Sequence, residues 1–279
     1  MDTQTAQASA QSSRSGRLMP CLSRVTCRAS RHFLIAWHFL TAVPLTRRHH
    51  DPTPHELAAS MGWYPMVGLV LGGLVAATDR LVDRLVAPEV VNLLVLLVLV
   101  VVTRGLHQDG LADTLDGLAG GRTPEERLVI MRDGRIGAIG ATGLFFTLAL
   151  RYAGLLALPP HARLPVLLCM PAFGRWAMVV AAWSVPYARA EGGLAAPFLV
   201  HLAPRHVVAA TLIIGALLLL LFGFGGAVTG LASGVALARA CTALCRRFFG
   251  GVTGDTLGAT NEVVETSFLL AGPALLSLR

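Results

Sequence analysis

Residues 88–102 read PEVVNLLVLLVLVVV, and residues 105–117 just beyond them read GLHQDGLADTLDG. After Glu89 the first stretch holds no charge, and apart from Asn92 it is aliphatic to Val102. A helix that is apolar on every side is buried in a large core or in a membrane. The second stretch sets three carboxylates directly behind that run.

The same apolar signal recurs along the chain. A bilayer core needs about 20 predominantly apolar residues per helix. Besides Pro88–Val102, candidate spans run over Met61–Thr78, Ile136–Leu158, Leu164–Val185, His206–Phe222, Gly225–Leu244 and Val263–Leu278. The stretch 33–45 is apolar but short and is interrupted by Pro44, so it reads as an interfacial or re-entrant helix. The expected fold is all-α: a polytopic transmembrane helical bundle of about seven spans plus that short N-terminal helix.

Composition agrees. Of 279 residues, 54% are hydrophobic and 14% charged, where soluble domains carry about 25% charged residues. Mean hydropathy is +0.63. All 23 basic side chains are arginine, and the net charge is +7. That charge lies in a few polar segments, which suits membrane orientation and anionic ligands. Neither zinc-finger spacing nor a basic recognition helix is present, so nucleic acid is not an expected partner. Residues 1–30, rich in Ser, Ala, Gln and Arg, read as a basic, disordered tail; residues 31–279 read as one integral membrane domain. Cys21, Cys27, Cys169, Cys241 and Cys245 form no CxxC motif. Cys241 and Cys245, one helical turn apart, are expected to pack as apolar groups.

Arginine placement orients the bundle. Arg14, Arg17, Arg24, Arg28, Arg31, Arg47 and Arg48 precede the first span and put the N-terminus in the cytoplasm. Alternation then brings 103–135, 186–205 and 239–262 to the same face. Arg80, Arg84 and Arg163 fall on the other.

The polar words on the cytoplasmic face carry the chemistry. Asp109, Asp113 and Asp116 stand at i, i+4 and i+7, within about 60° of one another on a helix. Three acids on one face repel, and a hard divalent cation such as Mg²⁺ relieves that repulsion and brings phosphate oxygens with it. His107, two residues earlier, is a second candidate proton acceptor beside Asp116. Arg132 and Arg135, following the helix start at Pro124–Arg127, suit a phosphate clamp. The glycine-rich word 250–262 adds Asp255, Asn261 and Glu262 as candidate ligands for a sugar hydroxyl or a second metal. Capping of the following helix by Asn261 or Glu262 is the plainer alternative. Glu262 and Glu265, one turn into an apolar span, are expected to face a polar cavity. Arg189, in the word 188–192, is a further candidate substrate contact. Arg175, inside a span, needs a partner or a cavity.

These words resemble the cobalamin synthase family, the adenosylcobinamide-GDP ribazoletransferases. The resemblance rests on LTAVP at 40–44, PMVGL at 65–69, GLHQDGLADTLDG at 105–117, MRDGRIG at 131–137 and GGVTGDTLGA at 250–259. Three positions depart from it: Arg104 and Gly134, where the family pattern has Gly and Ser, and Gly193-Leu194, where it has Leu-Gly. The resemblance implies an Mg²⁺-dependent phosphotransferase in the bacterial inner (cytoplasmic) membrane, with its motif loops facing the cytoplasm. Its implied substrates are adenosylcobinamide-GDP and α-ribazole or the 5′-phosphate of α-ribazole; GMP leaves and adenosylcobalamin or its 5′-phosphate forms. Membrane lipid is the implied surrounding, and a homo-oligomer is compatible with it. The alternatives are a CDP-alcohol-type or polyprenyl-type membrane transferase and a transporter subunit. Asp113 stands where the CDP-alcohol pattern has Arg, and a transporter would carry its acids mid-helix in paired broken spans.

Overall fold

A computed structural model of the chain describes residues 28–46 and 51–279. The basic tail up to residue 27, with Cys21 and Cys27, and the arginines at 47 and 48 lie outside the described residues. Helix α1 covers residues 28–40, so it already includes the last three residues of the stretch read as tail. It ends before Pro44, and Ala36, Trp37 and Leu40 on it are buried.

Among the described residues ten α-helices follow: α2 (Pro54–Ser60), α3 (Tyr64–Val82), α4 (Pro88–Thr103), α5 (Leu106–Gly120), α6 (Pro124–Ile130), α7 (Ala138–Ala157), α8 (Pro160–Ser184), α9 (Ala196–Val200), α10 (Pro204–Phe249) and α11 (Gly254–Leu276), with a 3₁₀ turn at Met61–Trp63 leading into α3. Among the described residues there is no strand, only an isolated bridge between Tyr187 and Val252. Local chemistry sets several starts. Thr53 with Glu56 and Thr123 with Glu126 form reciprocal capping boxes, each with proline at the first helical position, where its missing N–H is harmless.

All seven apolar runs are helical, but the number of spans is not a simple count of them. Helices Pro54–Val82, Ala138–Ala157, Pro160–Ser184 and Pro204–Phe249 are long and apolar enough to cross a membrane. Helix α4, with 16 residues, passes only jointly with α5, from which it is bent by 87°. We read α5, with its three acids, as a polar limb beside the spans. Helix α10 contains both the fifth and sixth runs. At Gly223 its backbone leaves helical geometry (φ 73°, ψ −176°). A Cβ at Gly230 would lie 3.4 Å from the Leu218 side chain, although a straight helix would carry the two residues about 18 Å apart. The chain therefore doubles back at Gly223, and α10 is a helical hairpin. Helix α11 carries Asp255, Glu262 and Glu265, which lower its hydropathy, yet most of it is buried.

Helix α8 is the hub, packing on α3, α10 and α11. It runs from Arg163 at one end to the 185–195 loop at the other. At the first end Arg163 donates to Asp79 (2.6 and 2.8 Å) and to Asn92 (2.6 Å), joining α8 to α3 and α4. At the second end the loops carrying the polar words come together. Ala188 N–H donates to the carbonyl of Val252 (2.9 Å) and Val252 N–H to that of Pro186 (3.0 Å), fastening the 186–192 word to the 250–255 word.

Candidate active site

The turn into α5 begins the site. Arg104 (φ 54°) and Gly105 (φ 64°) are consecutive left-handed residues, and together they swing α5 away from α4. Glycine adopts this conformation freely, whereas a residue with a Cβ is strained there by about 1–2 kcal/mol. Arg104 is one of the positions that depart from the resemblance, where a glycine is the expectation.

Asp109 and Asp113 follow one turn apart. Both line an open cleft of about 860 Å³, whose other walls are the Met131–Ile136 loop, Arg104 and the end of α1 at His38 and Phe39. A further carboxylate adjoins this wall. Helices α5 and α11 meet at Gly110, where a Cβ would lie 2.7 Å from the Asp255 carbonyl oxygen. Asp255 sits in the first turn of α11, which Thr253 caps through the N–H of Thr256 (3.2 Å). It accepts from Arg189 (2.8 Å) and from the Thr253 hydroxyl (3.3 Å). Burial, then Asp109, Asp255 and Asp116, push Asp113 up to about 7, against a smaller opposing pull from Arg189. Burial likewise raises Asp255, with Arg189 opposing.

The expected three-acid face is not gathered at one point. Among the described residues no three His, Cys, Asp or Glu side chains are grouped as a ready metal cage. Asp116 is the reason. Its two oxygens accept the N–H groups of Gly137 and Gly140, both at 2.7 Å, so it caps α7. Both glycines are needed, because a Cβ at either would lie within 2.4 Å of the carboxylate. The donors that remain still fit a hard cation. Mg²⁺ keeps several waters and is held by one or two protein carboxylates plus substrate phosphate. Asp109 and Asp113 are such a pair, and burial together with the neighbouring acids raises Asp113, a cost that a cation there would offset.

His107 departs from the expectation of a working base. It is buried, and burial together with Arg175 and Arg151 depresses its pKa well below the usual histidine value. Arg132 and Arg135 do line the cleft, each resting on an acid: Arg132 on Glu191 and Arg135 on Asp133 (2.7 Å).

Asn261 and Glu262 are also placed differently from the expectation. Both are sealed in the bundle with Glu265, Arg151 of α7 and Arg175 of α8. Arg151 lies 3.1 Å from a carboxylate oxygen of each glutamate and donates to Thr266 (2.9 Å); Arg175 pairs with Glu265; Asn261 donates to Glu265 (3.0 Å). Two arginines and two glutamates thus balance where a polar cavity was expected. The physical reason is that each acid finds a cation on a neighbouring helix, although Glu262 Oε2, Asn261 Oδ1 and Arg175 Nε are buried there without a hydrogen-bond partner. Arg175 has the partner its position required. Arg151, Asp133 and Tyr187 escaped the sequence reading, although an arginine in the middle of an apolar run was a signal for the first.

The comparisons with known proteins bear on this geometry. Residues 32–272 match the family described as cobalamin-5-phosphate synthase. The chain belongs to that family. Its similarity to adenosylcobinamide-GDP ribazoletransferases is extensive. It is 42% identical to the one from Syntrophobacter fumaroxidans, over 88% of this chain and 98% of the relative. It is 39% identical to that of Desulforamulus reducens, over 83% and 92%, and 36% identical to that of Rhizobium etli, over 84% and 92%. No solved structure matches. Membership in the cobalamin-5-phosphate synthase family makes the chain a transferase of late cobalamin biosynthesis and sets the transporter reading aside.

Proposed function

We propose that the chain transfers the cobinamide phosphoryl group from adenosylcobinamide-GDP to the 3′-hydroxyl of α-ribazole or its 5′-phosphate, with Mg²⁺ held by Asp109 and Asp113. The observation that carries this reading is the cleft wall itself. Two carboxylates face two arginines, Arg132 and Arg135, which rest on exposed acids and are free to exchange them for phosphate oxygens. The relatives' name supplies the substrate class.

Phosphoryl transfer needs alignment and neutralisation of charge more than covalent help from the protein. When bound, the cation neutralises the diphosphate. Arg132 and Arg135 bind outer oxygens and hold the leaving GMP in line. The acceptor's oxygen forms the new bond to phosphorus while the bond to the GMP oxygen breaks. The hydroxyl proton needs a carboxylate within reach. Asp116 is committed to α7 and His107 is buried with depressed basicity, so we assign this role to Asp255, which burial makes more basic than a free carboxylate. The site faces the cytoplasm, where nucleotide substrates are made, and the bundle sits in the bacterial inner membrane.

The test is purified protein in lipid nanodiscs, given adenosylcobinamide-GDP and α-ribazole with and without Mg²⁺. GMP and a cobalamin product are expected only with both acceptor and metal. GMP released equally without acceptor or metal rejects the reading.

A further inference from the structure

We infer that the acceptor's sugar occupies a second, smaller pocket, which meets the diphosphate cleft at Asp109, so that the two substrates reach the reacting phosphorus from separate cavities. This rests on the transferase reading above and adds to it the place from which the nucleophile comes.

The pocket lies between the start of α5, the 187–195 loop and the first turns of α11, and holds about 180 Å³. Phe39, Leu106 and Asp109 line both it and the large cleft, so the two spaces share a wall at a cleft carboxylate. Their sizes separate their occupants. Pockets for drug-sized ligands run to about 300–1,000 Å³. The large cleft is in that range, whereas the small pocket is below it and suits a single fragment such as a pentose.

Its lining is two-sided. Met178, Leu106 and Phe39 offer apolar surface, while Asp255, Arg189 and Tyr187 offer hydrogen-bonding groups. Two wall residues also carry unmet hydrogen-bonding capacity. Arg189 Nε and His107 Nε2 are buried without a partner, although Arg189 already donates to Asp255 through another nitrogen. A buried polar atom left unpaired is costly, and a hydroxyl-rich ligand or ordered water in the pocket would relieve that. The contact of Gly110 with the Asp255 backbone locks α5 to α11 and so holds Asp109 and Asp255 together in the lining of this space. A sugar hydroxyl held there has Asp255 to receive its proton and the cleft phosphorus in front of it. The oxygen then bonds to phosphorus as GMP departs with the electron pair of the broken bond.

The test narrows the pocket without disturbing the fold. A methyl group at Gly254 meets only the Ala195 Cβ, at 3.6 Å, an ordinary contact. Gly254→Ala is expected to raise the KM for α-ribazole by about tenfold, the scale of one misplaced methylene in a pocket. Equilibrium binding of adenosylcobinamide-GDP to the same variant should stay within about twofold of wild type. Leu194→Trp, at an exposed rim position of the same pocket, should give the same split and stands in if Gly254→Ala is not recovered folded. An active wild type with the acceptor KM unchanged in both variants, or with donor binding weakened in step, overturns the pocket assignment alone. A wild type that makes no cobalamin product overturns the transferase reading and this inference with it.

Discussion

The cleft wall and the buried quartet use the same residue types to opposite ends. At the cleft, Asp109, Asp113 and Asp255 crowd together with Arg189 as their close cation, and burial, with the neighbouring acids adding to it, lifts Asp113 to about 7. In the bundle, Arg151 and Arg175 meet Glu262 and Glu265 one for one, each side chain no more than 3% exposed. Unbalanced charge that stays open to solvent is chemistry waiting for a counterion. Balanced charge sealed from solvent is a tie between helices. The position of an acid in the sequence does not distinguish the two; its tertiary neighbours do.

The largest expected effect breaks the sealed side. Glu265→Leu leaves two buried arginines facing one glutamate, and removing one partner of a buried pair costs about 3–5 kcal/mol. Thermal melts in detergent should show a large loss. The double variant Arg175→Leu/Glu265→Leu should recover part of it, because the remaining pair is again balanced. A single variant that melts like wild type would show that the quartet holds nothing together.

On the open side the prediction inverts. Asp113→Asn should keep the wild-type melt and lose activity by at least about two orders of magnitude, since losing even a partner behind a metal ligand costs about 10–100-fold. The pH dependence has a definite sign. Asp113 is raised above an ordinary carboxylate, so it takes up a proton as pH falls through about 7. The Mg²⁺ concentration for half-maximal activity should therefore rise between pH 8 and pH 6. A flat metal requirement across that interval would remove Asp113 from the metal.

Asp116 sharpens the comparison because it sits between the two classes. As the cap of α7 it should act on stability: Asp116→Ala should cost about 1–2 kcal/mol, the upper range for losing an N-terminal cap. The metal requirement should stay unchanged. An unchanged melt with a raised Mg²⁺ requirement would return Asp116 to the metal. The smallest effect belongs to the turn before α5. Arg104→Gly should stabilise the protein by up to about 1 kcal/mol by relieving the left-handed strain, less the added freedom of the unfolded chain.

Much of this architecture could be read in advance because it is local. The apolar runs are helices, the start at Pro124 is capped as its Thr and Glu spacing implies, and Gly223 falls between two runs that were read as separate spans. The cleft was partly legible: Asp109, Asp113, Arg132 and Arg135 do share it. What was hidden depends on partners far along the chain. Asp116 looks like a third ligand until the amides of Gly137 and Gly140 arrive 21 and 24 residues later. Glu262 looks like a cavity acid until Arg151, 111 residues earlier, is packed beside it. Helical periodicity reports which face a side chain occupies, and says nothing of which helix lies opposite.

The quartet also bears on how the chain enters the bilayer. Its two arginines lie on α7 and α8, which are synthesised well before α11 delivers the glutamates. An arginine in the middle of a helix opposes insertion by about 2.5–3.5 kcal/mol on translocon scales. During biogenesis α7 and α8 must therefore wait, hydrated or sheltered, for the last helix to arrive, and a ribosome that stalled before residue 262 would leave them unable to settle.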